Sequence, residues 1–201
     1  MIKNIIFDLG NVLINFKPDK FLLRYTKNEK YINSFISKVI RDRIWLNLDR
    51  GVISLENAKN EFIEKYPEDA NFILTFFEDW MEMLTPIEEN IKILYELKSN
   101  SYKIYILSNY ILEAYHYVKS IYEFISVFDG EIISGKEKVI KPEPEIYQKL
   151  VQKYKLIPKE CVFIDDIPTC LLYARKIKMK TILYLPNVDL RRELRKLEVK
   201  I

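Results

Sequence analysis

A chain of 201 residues, 49% hydrophobic and with only 4 Gly and 8 Pro, can bury one full core plus a modest appendage and is too apolar to be disordered. Its 32 basic and 29 acidic residues leave a formal net charge of +3, too balanced to argue for nucleic acid or an anionic membrane surface, so a small-molecule partner is expected. No apolar stretch approaches the roughly 18 residues of a membrane span, and Met1 to Asp8 is too short and ends too acidic for a secretory signal, which makes the expected location cytoplasmic.

The first apolar run, Ile5-Ile6-Phe7, predicts a strand near 2 to 8 that ends at Asp8 and is followed by the tight polar turn Leu9-Gly10-Asn11. From about Phe16 to Leu84 the spacing is helical and no strong strand signal occurs. Leu55, Ala58, Phe62 and Tyr66 fall near one face behind Ser54, an N-cap, and Phe72, Phe76, Trp80 and Leu84 repeat every four residues. Thr85-Pro86-Ile87-Glu88 has the form of a capping box, with Ile87, Ile91, Leu94 and Leu97 behind it. Strands are predicted again near 103 to 108, 131 to 134, 161 to 165 and 180 to 184, alternating with helices, which implies a parallel sheet with right-handed crossovers. The helical block of about 65 residues is too long for a loop between strand and helix and reads as an inserted cap over the strand ends. Near the end, Leu190, Leu194 and Leu197 interleave with Arg191, Arg192, Arg195 and Lys196, as in a docked amphipathic helix with a solvated face.

Three of the predicted strands end in polar groups: Asp8, Ser108-Asn109 and Asp165-Asp166. Ligands of open α/β sheets bind outside the carboxyl ends of the strands, so these groups are expected to converge on one crevice. Each has an ordinary reading as turn or capping chemistry. Lys141 breaks a local rule: it precedes Pro142, where a helix is expected to begin, and a cation there opposes the helix dipole. It answers either an anion or a carboxylate pair, or else is a solvated lysine in a loop that also holds Lys136 and Lys138. Adjacent carboxylates at 165 and 166 raise each other's pKa unless a positive group lies beside them. Three carboxylates and one ammonium carry a net charge of about −2, which repels a phosphate dianion at short range unless a divalent cation intervenes. Oxygen ligands without a His or Cys cluster favour magnesium over zinc. Cys161 and Cys170 read as two reduced thiols, and His116, in Tyr115-His116-Tyr117, as a packed or surface residue.

Phe7-Asp8-Leu9-Gly10-Asn11-Val12, Leu107-Ser108-Asn109, Lys141-Pro142-Glu143-Pro144-Glu145-Ile146-Tyr147 and Phe163-Ile164-Asp165-Asp166 occur in that order, and together they resemble the four motifs of the haloacid dehalogenase-like hydrolases, mostly phosphatases. The resemblance covers essentially the whole chain. It is nearest to the subgroup with Asp-x-Gly-Asn-Val at the first motif and Asp-Asp at the fourth, similar to α-glucose 1-phosphate phosphatase. The fold it implies is α/β, a parallel Rossmann-like sheet core at 1–15 and 85–201 with an inserted all-helical cap at 16–84. The activity it implies is magnesium-dependent hydrolysis of a small phosphorylated metabolite, a sugar phosphate being favoured, through an aspartyl-phosphate. In that scheme Asp8 is the nucleophile, Ser108 and Asn109 hold phosphoryl oxygens, and Lys141 neutralises nucleophile and phosphate. Asp165 orients Lys141, while Asp8, the carbonyl of Gly10 and Asp166 bind Mg2+.

Three departures from the family pattern stand out. Gly10 replaces the second Asp that serves most members as general acid and base, which favours substrates with less basic leaving oxygens. Cys170 replaces a usual Asn near the metal. Lys178-Met179 replaces a usual Gly in the last turn from helix to strand. A metal-independent haloacid dehalogenase and a catalytically impaired phosphate-binding protein are the alternative functions. In the cap, Arg41, Arg43, Trp45 and Trp80 are the candidates for substrate contact. Oligomeric state is not readable from the sequence.

Overall fold

The strands form because their side chains are apolar toward both faces: Ile5, Ile6, Phe7, Ile104, Ile106, Leu107, Val162, Phe163 and Ile164 are all fully buried. The computed structural model describes residues 1–201 and contains one parallel sheet of β1 (Asn4–Phe7), β2 (Lys103–Ser108), β3 (Gly130–Ile133), β4 (Cys161–Asp165) and β5 (Lys180–Leu183). Every expected strand is present, with ends displaced by a residue or two. The order is β3-β2-β1-β4-β5, so the chain builds one half of the sheet outward from β1 and then crosses to the other side. Phe7 lies level with Ile106 on one side and Ile164 on the other. That register brings the residues that follow Phe7, Leu107 and Ile164 to a common edge at the reversal of strand order, where ligands of such sheets bind.

Between β1 and β2 run the helices α1 (Pro18–Leu22), α2 (Glu29–Phe35), α3 (Arg43–Arg50), α4 (Leu55–Lys65) and α5 (Ala70–Asp79), with no strand among them. A π-helical turn at Ile36–Ile40 extends α2, and a 3-10 turn at Trp80–Met83 follows α5. The remaining helices are α6 (Glu88–Ser99), α7 (Leu112–Ile121), α8 (Ser134–Glu137), α9 (Pro144–Lys153), α10 (Cys170–Lys176) and α11 (Leu190–Lys196). One face of the sheet, with Ile5, Phe7, Ile106 and Ile164, packs on apolar residues of α6, α7 and α11 and is continuous with the interior of the inserted helices. The other face, with Ile6, Leu107 and Phe163, meets Tyr147 and Leu150 of α9 and Leu171 and Ala174 of α10. The tail helix α11 docks through Leu190 and Leu194, as its pattern predicts.

The inserted helices are an aromatic assembly. Phe76 is fully buried and its ring lies 5.3 to 6.5 Å, centre to centre, from those of Phe21, Phe35, Trp45, Phe77 and Trp80. Local starts follow the expected chemistry: the Ser54 side chain accepts from the Asn57 N–H, and Asn28 and Asp42 cap α2 and α3 in the same way. Two sequence expectations are corrected here. Thr85 does not cap α6; its hydroxyl accepts a hydrogen bond from the Asn15 side chain, and α6 begins at Glu88 with no side-chain cap. Thr85 instead helps join the two chain segments at the neck of the insertion, where Asn15 N–H donates to the Thr85 carbonyl (2.7 Å) and Ile87 N–H to the Leu13 carbonyl (2.8 Å). The second correction concerns α9, which begins at Pro144 rather than Pro142, with Glu143 as its N-cap, so Lys141 stands further ahead of the helix than expected. In the last turn from helix to strand, Lys178 adopts φ 72°, a left-handed conformation in which a glycine is free of strain.

The insertion meets the sheet domain at a close backbone approach. Gly51 ends α3 at φ 71°, and a Cβ on it would lie 2.2 Å from the Gly135 carbonyl oxygen, so only glycine fits there. Beside it, Arg50 grips Glu143 with both guanidinium nitrogens (2.8 and 2.5 Å), the Ser134 hydroxyl donates to the Asp49 carbonyl, and Lys138 donates to the Gly51 carbonyl. Phe76 sits at the centre of the aromatic assembly that fills the interior of the inserted helices. Phe76→Ala is therefore expected to lower unfolding free energy by about 3–5 kcal/mol in urea titrations, with Phe76→Leu costing less.

Candidate active site

The carboxyl edge of β1, β2 and β4 gathers a buried charge cluster. Lys141 is 3% exposed, and its ammonium lies 3.0 Å from Asp8 Oδ1 and 2.6 Å from Asp165 Oδ2. Asp8 Oδ1 also accepts from the Ser108 hydroxyl (2.6 Å) and the Leu9 N–H (2.8 Å), while no residue donates to Oδ2. Asp165 is fully committed, since its Oδ1 accepts from the Ile167 N–H at 2.8 Å. Asp166 follows the end of β4, and its Oδ2 accepts from the Asn11 side chain at 3.2 Å. Asp8, Ser108, Lys141, Asp165 and Asp166 are thus brought together. Asn109 is present with a different use of its side chain: its amide accepts from the Lys141 N–H (2.7 Å) and donates to the Lys141 carbonyl (3.0 Å). It grips the backbone of the loop that carries the lysine, across a gap of 32 residues, and the peptide bond that follows, Lys141–Pro142, is cis.

Electrostatics in the cluster follow from burial. Removal from water pushes the Asp8 carboxyl up to about 7, assisted by the charges of Asp165 and Asp166 and opposed by Lys141 and the Ser108 hydroxyl. Burial works against the Lys141 charge as well, but Asp165 and Asp8 outweigh it and hold the ammonium above the ordinary lysine range. Asp166 is likewise raised, by burial first and by Asp165 second. Carboxylate oxygens of Asp8, Asp165 and Asp166 lie within 4.8 Å of one another. Because Asp165 is used up by Lys141 and a backbone amide, the oxygens left for a cation are those of Asp8 and Asp166, with Gly10 lining the same space. An all-oxygen donor set with excess negative charge suits magnesium.

A cavity of about 410 Å³ opens over this cluster. Its floor includes Asp8, Gly10, Asn11, Asn109, Lys141 and Asp166, and its walls are largely apolar: Phe16, Ile40, Trp45, Leu46 and Trp80 come from the inserted helices, with Leu84 and Ile111 beside them. Of the four cap residues proposed from sequence, Trp45 and Trp80 line the cavity, whereas Arg41 and Arg43 are exposed on the outside of it. Two buried donors in the wall have no protein partner, the Trp80 indole N–H and the Tyr110 hydroxyl. Cys170 also lines the cavity as a free buried thiol, pushed up to about 12 by burial, and is protonated at neutral pH. His116 is exposed on α7 and takes no part.

Sequence reasoning missed Asp49, Tyr110 and the Asn11 side chain. Asp49 carried a signal: an acidic side chain in the last turn of a helix opposes the dipole, the same kind of rule-breaking that marks Lys141. Tyr110 and Asn11 carried none, since a tyrosine after a strand and an asparagine in a turn are commonplace.

The parallel sheet, the helices inserted after its first strand and a Lys–Asp cluster on its carboxyl edge define a hydrolase of the α/β class. The chain belongs to the haloacid dehalogenase-like hydrolases, whose family model matches residues 2–172. Among curated relatives, a sesquiterpene phosphatase of Aspergillus oryzae is 23% identical over 88% of this chain and 87% of its own length. A D-ribitol-5-phosphate phosphatase of Bacteroides thetaiotaomicron is 25% identical over 96% of this chain and 97% of its own. Among solved structures, a family enzyme of Bacteroides thetaiotaomicron, crystallised with magnesium and inorganic phosphate, superposes with a TM-score of 0.76 at 24% identity, covering 96% of this chain and 99% of that one. No helix of this chain is long and apolar enough to cross a membrane.

A folded-state pKa of about 7 for Asp8, raised from 3.8, has a defined consequence for stability. The contribution is fully present below pH 3.8 and is lost as pH rises through 7, because the folded state must then hold an ionised carboxylate that the unfolded state holds more easily. In chelator, the difference in Tm between Asp8→Asn and wild type is therefore expected to grow in favour of the variant between pH 4 and pH 8, as thermal melts across that range will read.

Proposed function

We propose that the protein is a magnesium-dependent phosphatase that hydrolyses a small phosphorylated metabolite through an aspartyl-phosphate on Asp8. The observation that carries this reading is the state of the Asp8 carboxylate. One oxygen is fixed by three donors, Ser108, the Leu9 N–H and Lys141, and the other is left without a hydrogen bond at the base of the cavity. A carboxylate so held is oriented for attack with little motion to freeze out. In the proposed reaction Asp8 Oδ2 forms a bond to phosphorus as the bond to the ester oxygen breaks. Lys141 counters the charge that builds on nucleophile and phosphoryl group, and Asp165 keeps that ammonium in place. Ser108 is shared between Asp8 and a phosphoryl oxygen, and the Asn109 side-chain amide fixes the Lys141 loop. Asp8, the Gly10 carbonyl and Asp166 would hold magnesium, which would offset the excess negative charge of site and substrate. The cap is residues 16–84 and the core 1–15 with 85–201, the protein being placed in the cytoplasm with no nucleic-acid or membrane partner.

The cavity walls bear on the substrate. A sugar phosphate, favoured on motif grounds, would meet the Tyr110 hydroxyl, the Trp80 N–H and the Asp49 carboxylate. The two tryptophans, Phe16, Ile40 and Leu46 favour a second reading, a phosphate ester with a ring or hydrocarbon body. A haloacid substrate fits less well, because an alkyl ester on Asp8 gives the Asp8–Asp166 oxygens no role.

Purified protein is expected to release phosphate from members of a panel spanning sugar, alkyl and aryl phosphates. Activity should be lost in chelator and restored by magnesium, and Asp8→Asn should be inactive; phosphate release that survives this substitution, or chloride release from a haloacid in chelator, would sink the proposal. Magnesium at 100 times its Kd should raise unfolding free energy by about 2.7 kcal/mol, and Asp166→Asn should remove most of that gain in the same melts.

A further inference from the structure

Six titratable side chains line the cavity: Asp8, Asp49, Tyr110, Lys141, Asp166 and Cys170. In the phosphatase reading Asp8 attacks, Lys141 stays charged between two carboxylates, and Asp166 holds the cation. Burial drives the Cys170 thiol up to about 12 and the Tyr110 hydroxyl higher still, so neither yields or accepts a proton readily at neutral pH. Gly10, next but one to the nucleophile, has no side chain to offer. Asp49 remains. It is half-buried, and its carboxylate makes no hydrogen bond and no ion pair within the protein. It is also the one charged side chain that the inserted helices contribute to the cavity wall.

We propose that Asp49 is the general acid and base of the reaction, delivering its proton to the departing ester oxygen and then taking one from the water that opens the aspartyl-phosphate. The inference rests on the phosphatase reading of Asp8. In the first step the phosphorus to ester-oxygen bond breaks as the bond to Asp8 Oδ2 forms, and the Asp49 proton goes to the leaving oxygen to give the alcohol. In the second, water attacks phosphorus, the Asp49 carboxylate removes its proton, and Asp8 leaves as a carboxylate. The sum is ester plus water to alcohol plus phosphate, with Asp49 returned to its protonated form.

Placement supports the role. The helix end carrying Asp49 is tied to the sheet domain on three sides, by Ser134 to the Asp49 carbonyl, by the Arg50–Glu143 pair, and by Lys138 to the Gly51 carbonyl. These ties set the carboxylate over the cluster without engaging its oxygens. A carboxylate in the last turn of α3 costs helix stability, which makes an unpaired acid there expensive unless it is used. The charged groups facing it are Asp8 and Lys141 from the core, with Arg50, Glu143 and Lys138 alongside its helix end. Burial, and after it Asp8, push the Asp49 carboxyl up to about 7, against Lys141, so both protonation states are populated at neutral pH.

The test compares benzyl phosphate, whose leaving alkoxide needs a proton, with 4-nitrophenyl phosphate, whose leaving phenolate needs little. Asp49→Asn is expected to lower kcat/KM for benzyl phosphate by about 10²- to 10⁴-fold, a typical span for general acid catalysis, and to lower it far less for the nitrophenyl ester. With benzyl phosphate the wild type is expected to show a fall of kcat/KM above about pH 7 that is absent in the variant. Asp49→Ser should show the same split, which separates the effect from any folding defect of one variant. Since Asp49 is raised in the folded state, its ionised form is unfavourable above pH 7, and the variant's Tm at pH 8 should not fall below that of the wild type. Equal losses on both esters, a change confined to KM, or no loss overturn the role of Asp49 while leaving Asp8 in place. Wild-type protein inert toward both esters, or equally active as Asp8→Asn, overturns the phosphatase reading and this inference with it.

Discussion

A lysine ammonium buried between two carboxylates governs the carboxyl edge of this sheet. Lys141 sits 3.0 Å from Asp8 and 2.6 Å from Asp165 with almost no exposure, and a charge so placed is tolerable only when it is paired. The pairing is enforced from several directions. Asn109 clasps the Lys141 backbone, Asp165 is held by the Ile167 N–H, and Asp8 is held by Ser108 and the Leu9 N–H. Breaking the Lys141–Asp165 pair by removing Asp165 strands a buried ammonium, a change typically worth about 3–5 kcal/mol. The loop between β3 and α9, the tips of β1, β2 and β4, and the turn after β4 are therefore mutually dependent although they are far apart in sequence.

The second constraint is the neck and shoulder through which the inserted helices are attached. Chain exit and return are laced together at Leu13–Asn15 and Thr85–Ile87, and the opposite side is fixed where Gly51 meets Gly135 and Arg50 meets Glu143. The aromatic interior of this unit is built around Phe76 and Trp80, and the unit contributes Phe16, Ile40, Trp45, Leu46, Asp49 and Trp80 to the cavity wall. Apolar groups beside the charge cluster lower the local dielectric and strengthen the electrostatic interactions within it. The few polar groups the inserted helices leave over the cluster, Asp49 and the Trp80 N–H, are consequently the ones with most influence on which molecules fit and how they react.

Much of this was legible in the sequence because it rests on short-range regularities. Runs such as Ile104 to Leu107 and Val162 to Ile164 announce buried strands by length and composition, and the family motifs carry Asp8, Ser108, Lys141, Asp165 and Asp166 as a set. Errors arose where local chemistry had more than one use. Thr85 and Glu88 have the spacing of a capping box, yet the Thr85 hydroxyl is taken by Asn15, a residue 70 positions away. Pro142 reads as a helix start, but the neighbouring Pro144 opens the helix. The Asn109 amide reads as a phosphate donor, and the structure gives it a further use, the clasp on a backbone 32 residues distant.

By itself the sequence determined the parallel sheet, the insertion after its first strand and the acidic and basic groups at the strand ends, because periodicity, run length and turn chemistry are properties of neighbouring residues. Only the tertiary structure decided that a backbone amide takes the second Asp165 oxygen and that the Asn109 side chain clasps the Lys141 backbone. It alone placed Trp80, Tyr110 and Asp49 around the space above them. Those assignments depend on which groups from distant segments come within hydrogen-bonding reach once the chain is packed, and burial then sets their charge states; no pattern of neighbours encodes either.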